Sequence, residues 1–134
     1  MGLAERRRIA EIKTTTTAQT ETAKSELGLP IDFDTTTLIE EAGVLDGYDY
    51  YKTYCVPMVI NVFKEIMSDD MGKSAVKEKI KAVKIINTSK STTEGGAKGL
   101  ELKEGELIIK MGFYQYSDIL WDEADLKTKI ENML

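Results

Sequence analysis

Residues 100–113 read LELKEGELIIKMGF. Leu100 and Leu102 alternate with charged residues, and Leu107, Ile109, Met111 and Phe113 form a second alternating run. A period of two marks a strand with one buried face. Lys103-Glu104-Gly105-Glu106 separates the runs and has turn chemistry, so the stretch predicts a β-hairpin with one apolar face. Upstream, Val83–Asn87 is a third β-like run, joined to the hairpin by the polar, glycine-rich TSKSTTEGGAKG of residues 88–99. Three such runs in succession predict a three-stranded antiparallel β-meander, stable where helices cover its apolar face.

Those helices are legible on either side. Residues 3–27 have helical character but only a weak apolar stripe (Ile9, Ile12, Ala18, Ala23, Leu27), and the threonine run 14–17 opposes helix. Gly28, Leu29 and Pro30 supply a left-handed cap, an apolar contact and a stop. Ile31 and Phe33 alternate with Asp32 and Asp34 as a short strand or extended linker. Thr37–Glu40 then fits a capping box, with Gly43 to end a small helix.

Residues 48–67 carry apolar residues at spacings of three and four, which predicts a core helix, with Pro57 causing a kink or break near Tyr54–Val56. Ser68–Gly72 is a capped turn, and Lys73–Val83 reads as a lysine-rich helix with Val76, Ile80 and Val83 on one face. At the end, Asp122 caps a helix through Asp125, with Trp121 and Leu126 as a hydrophobic staple.

The fold class expected is therefore α+β: N-terminal helices, the three-stranded meander and a C-terminal helix. Residues 1–134 are read as a single domain, in which 1–29 form a peripheral helix and 30–134 a compact α+β core. That core should centre on Met58, Val59, Val62, Phe63, Ile66, Val76, Ile80, Leu107, Ile109, Met111 and Trp121.

Composition narrows the chemistry. The 134 residues include no histidine and one cysteine, Cys55. Imidazole-based nucleophile pairs, proton shuttles and histidine metal sites are thereby excluded. One cysteine makes no intrachain disulfide, and MGLAERRRIAEIK has no apolar core of a secretory leader, so a cytoplasmic location is expected. A net charge of −5 argues against non-specific nucleic-acid binding, and no run has the length of a membrane span.

Motifs that could carry chemistry mostly fail on context. Gly72-Lys73-Ser74 resembles the tail of a phosphate loop, but Met67 stands where the first glycine belongs and a helix precedes it where a strand is needed. Glu94–Gly99 could cradle an anion with backbone amides but lacks dinucleotide-binding spacing. The acidic groups Asp32/Asp34, Glu40/Glu41, Asp69/Asp70 and Asp122/Glu123/Asp125 sit mostly at helix starts, where carboxylates cap amides. Cys55 lies in an apolar stretch, with only Lys52 nearby to activate it. No cofactor and no metal site is expected.

The tyrosines stand out. Tyr48, Tyr50, Tyr51 and Tyr54 fall within seven residues, and Tyr114 and Tyr116 follow the hairpin. Spacing spreads the first four around a helix axis, so they cannot all reach one core. Exposed tyrosine is enriched at interfaces, so these six are the candidate binding residues. Charge is also uneven: residues 30–70 carry nine acids against Lys52 and Lys64, while residues 71–110 carry nine lysines against five glutamates. Lys73, Lys77, Lys81 and Lys84 fall on one stripe if the segment is all helix.

The function expected is that of a small soluble non-catalytic interaction or accessory protein, with an unidentified protein partner or self-association and without nucleic acid or membrane. The alternative is a carboxylate- or tyrosine-based enzyme or small-molecule-binding domain, with its cleft between helices and sheet.

Overall fold

The structure is a computed structural model, and it describes residues 2–34, 55–88, 98–111 and 121–134. These form four helices and a four-stranded sheet, in the order α1 (Leu3–Leu27), β1 (Ile31–Asp34), α2 (Val56–Ile66), α3 (Asp70–Lys79), β2 (Ala82–Asn87), β3 (Gly99–Lys103), β4 (Glu106–Met111) and α4 (Glu123–Met133). The α+β class follows. No described helix is long and apolar enough to cross a membrane.

The sheet corrects the meander. Its strand order is β1-β2-β4-β3, with β1 parallel to β2, β2 parallel to β4 and only β3 antiparallel to β4. The hairpin itself is as expected, with Glu104 at φ 52 and Gly105 at φ 83. Both central residues in the left-handed region make a type I′ turn, whose twist matches that of the strands. The difference lies in which hairpin strand meets β2. β4 inserts between β2 and β3, setting Val83, Ile85 and Asn87 level with Leu107, Ile109 and Met111. β4 is the more apolar hairpin strand and takes the interior place, flanked on both sides, while β3, with Glu101 and Lys103, takes the edge. The short β1 run is a full member of the sheet.

One face of the sheet carries the apolar residues: Ile31, Phe33, Val83, Ile85, Leu107, Ile109 and Met111 are buried, and Leu100 and Leu102 partly so. The other face carries Asp32, Lys84, Ile108 and Glu101 across one register row. α2 and α4 pack on each other, and α1 packs on β1 and α2. All eleven core positions expected from sequence are buried.

Local chemistry explains the helix bounds. α1 runs through the threonines and ends at Gly28 (φ 66, ψ 22), whose N–H donates to the Lys24 carbonyl at 2.9 Å. Leu29 is buried beside it. Of the kink or break expected near Tyr54–Val56, Tyr54 lies outside the described residues, and α2 begins at Val56, just before Pro57. The proline lies in the first turn of α2, where a missing N–H costs nothing. Residues 48–54, the upstream part of that expected helix, lie outside the described residues.

α3 is displaced from the expected Lys73–Val83: it begins at Asp70, inside the stretch expected to be a turn, and ends at Lys79. Asp69 caps it, accepting from the Gly72 N–H at 2.7 Å, and Ile80 leaves it in an extended conformation. Val83 belongs to β2, not to the helix face of Val76. Asp122 caps α4 as expected, accepting from the Asp125 N–H at 3.3 Å. Trp121 and Leu126 are both buried there, and the Trp121 indole N–H donates to the Lys110 carbonyl at 3.1 Å. The expected capping box at Thr37–Glu40 and Gly43 lies outside the described residues.

Candidate functional site

Three chain reversals meet at one end of the molecule. After its glycine cap, α1 turns through Leu29 and Pro30 into β1, and the Pro30 carbonyl accepts from the Val83 N–H at 2.9 Å. That bond fixes the exit of α1 beside the start of β2. The α3–β2 junction is held from the other side, since the Gly105 carbonyl accepts from the N–H groups of Lys81 (2.7 Å) and Ala82 (3.3 Å).

The third reversal, between α2 and α3, is the tightest. A Cβ on Gly72 would lie 1.7 Å from the Ile66 carbonyl oxygen, so only glycine lets the two helices meet this closely. This is the structural use of the Gly72-Lys73-Ser74 triplet: Gly72 is already inside α3, behind a helix, where no phosphate loop could form.

Between these reversals lies a shallow groove made of two adjoining depressions. One, of about 170 Å³, is floored by Leu27, Leu29, Met67, Val76 and Ile80 and rimmed by Lys77 and Lys81. The other, of about 250 Å³, continues past Leu27 and Met67 to Lys64, Lys73, Lys77 and Glu26. Lys64 pairs with Glu26 at 2.9 Å, and the Lys81 ammonium donates to the Lys77 carbonyl. Neither Lys73 nor Lys77 pairs with a carboxylate among the described residues. The result is an apolar floor under a row of positive charge.

The lysine stripe is thus real in part. Lys73 and Lys77 share the α3 surface, Lys81 follows in the turn, and Lys84 departs on β2, away from the groove. A helical wheel could not show this, because the helix ends at Lys79.

A third depression, of about 320 Å³, lies between Thr20 of α1 and the starts of β1, β2 and β4, and is lined by Asp32, Lys84 and Glu106. It is the described feature nearest to the expected cleft between helices and sheet. Asp32 and Glu106 are both exposed there.

Cys55 is 1% exposed, and burial pushes its thiol up to about 12. A thiol that stays protonated is a core residue and no nucleophile at neutral pH. Among the described residues, no three acids or thiols come together to hold a metal ion.

All six candidate tyrosines, Tyr48, Tyr50, Tyr51, Tyr54, Tyr114 and Tyr116, lie outside the described residues, as do residues 94–97 of the glycine-rich stretch. Lys98, at the end of that stretch, places its ammonium 5.1 Å from the centre of the Trp121 ring. The groove was missed at the sequence level. Its one local signal was the coincidence of a lysine-rich helix start with the Gly28-Leu29-Pro30 exit, and nothing in the sequence brings those two together. Compared with protein-family models, curated proteins and solved structures, the chain matches none of them.

Proposed function

We propose that the protein is a non-catalytic interaction protein of the cytoplasm that docks an acidic segment of a partner protein along the lysine-rimmed groove. The observation that supports this most is the pairing of an apolar floor (Leu27, Leu29, Met67, Val76, Ile80) with two lysines, Lys73 and Lys77, that have no carboxylate partner among the described residues. Both depressions are smaller than the roughly 300–1,000 Å³ typical of small-molecule sites. They suit single apolar side chains of an extended segment, with its carboxylates on the lysine rim. Such an arrangement gives specificity and fast encounter through charge, and affinity through buried apolar area. The lone protonated thiol is in keeping with the reducing cytoplasm. Tyr48, Tyr50, Tyr51 and Tyr54, with Tyr114 and Tyr116, remain the natural candidates for extending that interface, because tyrosine contributes large contact area at low entropic cost.

The test is capture of partner from native cell extract by three proteins: wild type, Lys73→Glu/Lys77→Glu, and a control of equal net charge, Lys13→Glu/Lys129→Glu. The control reverses exposed lysines on α1 and α4, away from the groove. Loss of a specific partner in the groove variant alone supports the reading. Equal capture by groove variant and control contradicts it.

A further inference from the structure

We propose that β3 joins edge to edge with β3 of a second copy, forming a weak symmetric dimer with one continuous sheet. This rests on the sheet edge and is independent of the groove. In a two-residue hairpin the closing pair, here Lys103 and Glu106, exchanges both backbone hydrogen bonds. Alternation then directs the N–H and C=O groups of Gly99, Glu101 and Lys103 toward β4, and those of Leu100 and Leu102 outward. Among the described residues, neither leucine makes a hydrogen bond beyond the sheet. The other edge differs: α1 packs on β1, and Phe33 has a partner of its own. β3 has no proline or bulge; its charged side chains, Glu101 and Lys103, of the kind that commonly keep an edge from pairing, lie on the sheet's exposed face, where a matching register would make them cross-strand partners.

The edge is also self-complementary in one register. Symmetric antiparallel pairing through the outward groups can centre on residue 100, 101 or 102. Centring on 101 sets Glu101 against its own copy. Centring on 100 sets Glu101 against glycine. Centring on 102 sets Glu101 opposite Lys103 of the second copy, twice by symmetry, with Leu102 beside Leu102. Opposite charges directly across strands stabilise and like charges destabilise. Only three residues per copy pair before the left-handed Glu104 ends the strand, so the contact is far below a standard interface. Its dissociation constant is expected on the order of 0.1 mM.

Sedimentation equilibrium from about 10 µM to about 1 mM tests this range. Wild type is expected to rise from 15.0 kDa toward twice that mass. Glu101→Lys and Lys103→Glu each turn both cross-pairs repulsive and should weaken association about tenfold or more. The double variant, with the signs exchanged, should restore it. Circular dichroism checks that these exposed substitutions leave the fold intact. As a second readout, the Leu102 amide of the wild type should exchange more slowly with solvent at high concentration than at low, and the Leu100 amide should not change. A monomer at every concentration overturns the proposal and leaves the edge to a strand from another protein. A dimer indifferent to both single reversals, or not rescued by the double variant, also overturns it.

Discussion

α1 and α2 bury themselves in opposite ways. α1 is 25 residues long, about 37 Å at 1.5 Å per residue, yet among its residues only Ile12, Ala23 and Leu27 are buried. α2 has 11 residues and buries Val56, Met58, Val59, Val62, Phe63 and Ile66. The comparison teaches that length and anchorage are separate properties here. α2 is held along its whole length by core contacts. α1 is held chiefly near its C-terminal end, by Ala23, Leu27 and the glycine cap, which is also the end that walls the groove. Any loosening of α1 at that end reaches the candidate site directly.

The comparison breaks first at Phe63, which is fully buried. Phe63→Ala should cost about 3–5 kcal/mol of stability in chemical denaturation, through lost transfer energy and the cavity left behind. A cost below about 1 kcal/mol would show that α2 is not the anchored helix.

Next comes Cys55, the residue just before α2. Its folded thiol holds its proton up to about pH 12, while an exposed thiol releases it near 9.0. Between those values the unfolded chain binds fewer protons than the native one, so stability falls as pH rises. The contribution is fully present below about pH 9. Above it, each pH unit should remove about 1.4 kcal/mol until the folded thiol itself ionises. Denaturation from pH 8 to pH 11 should therefore fall more steeply for wild type than for Cys55→Ala. Parallel slopes would mean the thiol is not held in the core.

A smaller effect is expected at the cap. Gly28→Ala places a Cβ in a left-handed conformation and should cost about 1 kcal/mol. Its signature is local: amide exchange should speed up in residues 23–30 and leave α2 unchanged. The smallest change has the opposite sign. Thr14 is exposed in mid-α1, and Thr14→Ala should stabilise by roughly 0.5 kcal/mol through helix propensity. A measurable loss would reveal a contact on that face of α1.

The same contrast explains what could be read beforehand. Caps and turns are local, so Gly28 after Leu27, Asp122 before α4 and the Glu104-Gly105 turn were legible from neighbouring residues, whereas the start of α3 was placed three residues late, at Lys73. Core membership followed from apolar spacing, which is why Phe63, Ile109 and Trp121 were placed correctly. Pairing is not local. Nothing in Val83–Asn87 records that β4, and not β3, lies beside it, because both hairpin strands show the same two-residue period. Residues 80 and 83 also share a helix face at three apart, so the α3–β2 boundary was drawn too late. The groove depends on three reversals meeting in space, and lysines at 64, 73, 77 and 81 carry no local trace of that meeting.

The most direct measurement of the central claim is a residue-resolved amide titration by NMR, using a synthetic peptide of glutamates flanking a single leucine as probe. The account predicts shifts concentrated at Leu27–Leu29, Met67 and Lys73–Lys81, weakened by added salt and removed by Lys73→Glu/Lys77→Glu. Shifts scattered over the surface, or confined to the Asp32, Lys84 and Glu106 depression, would contradict it.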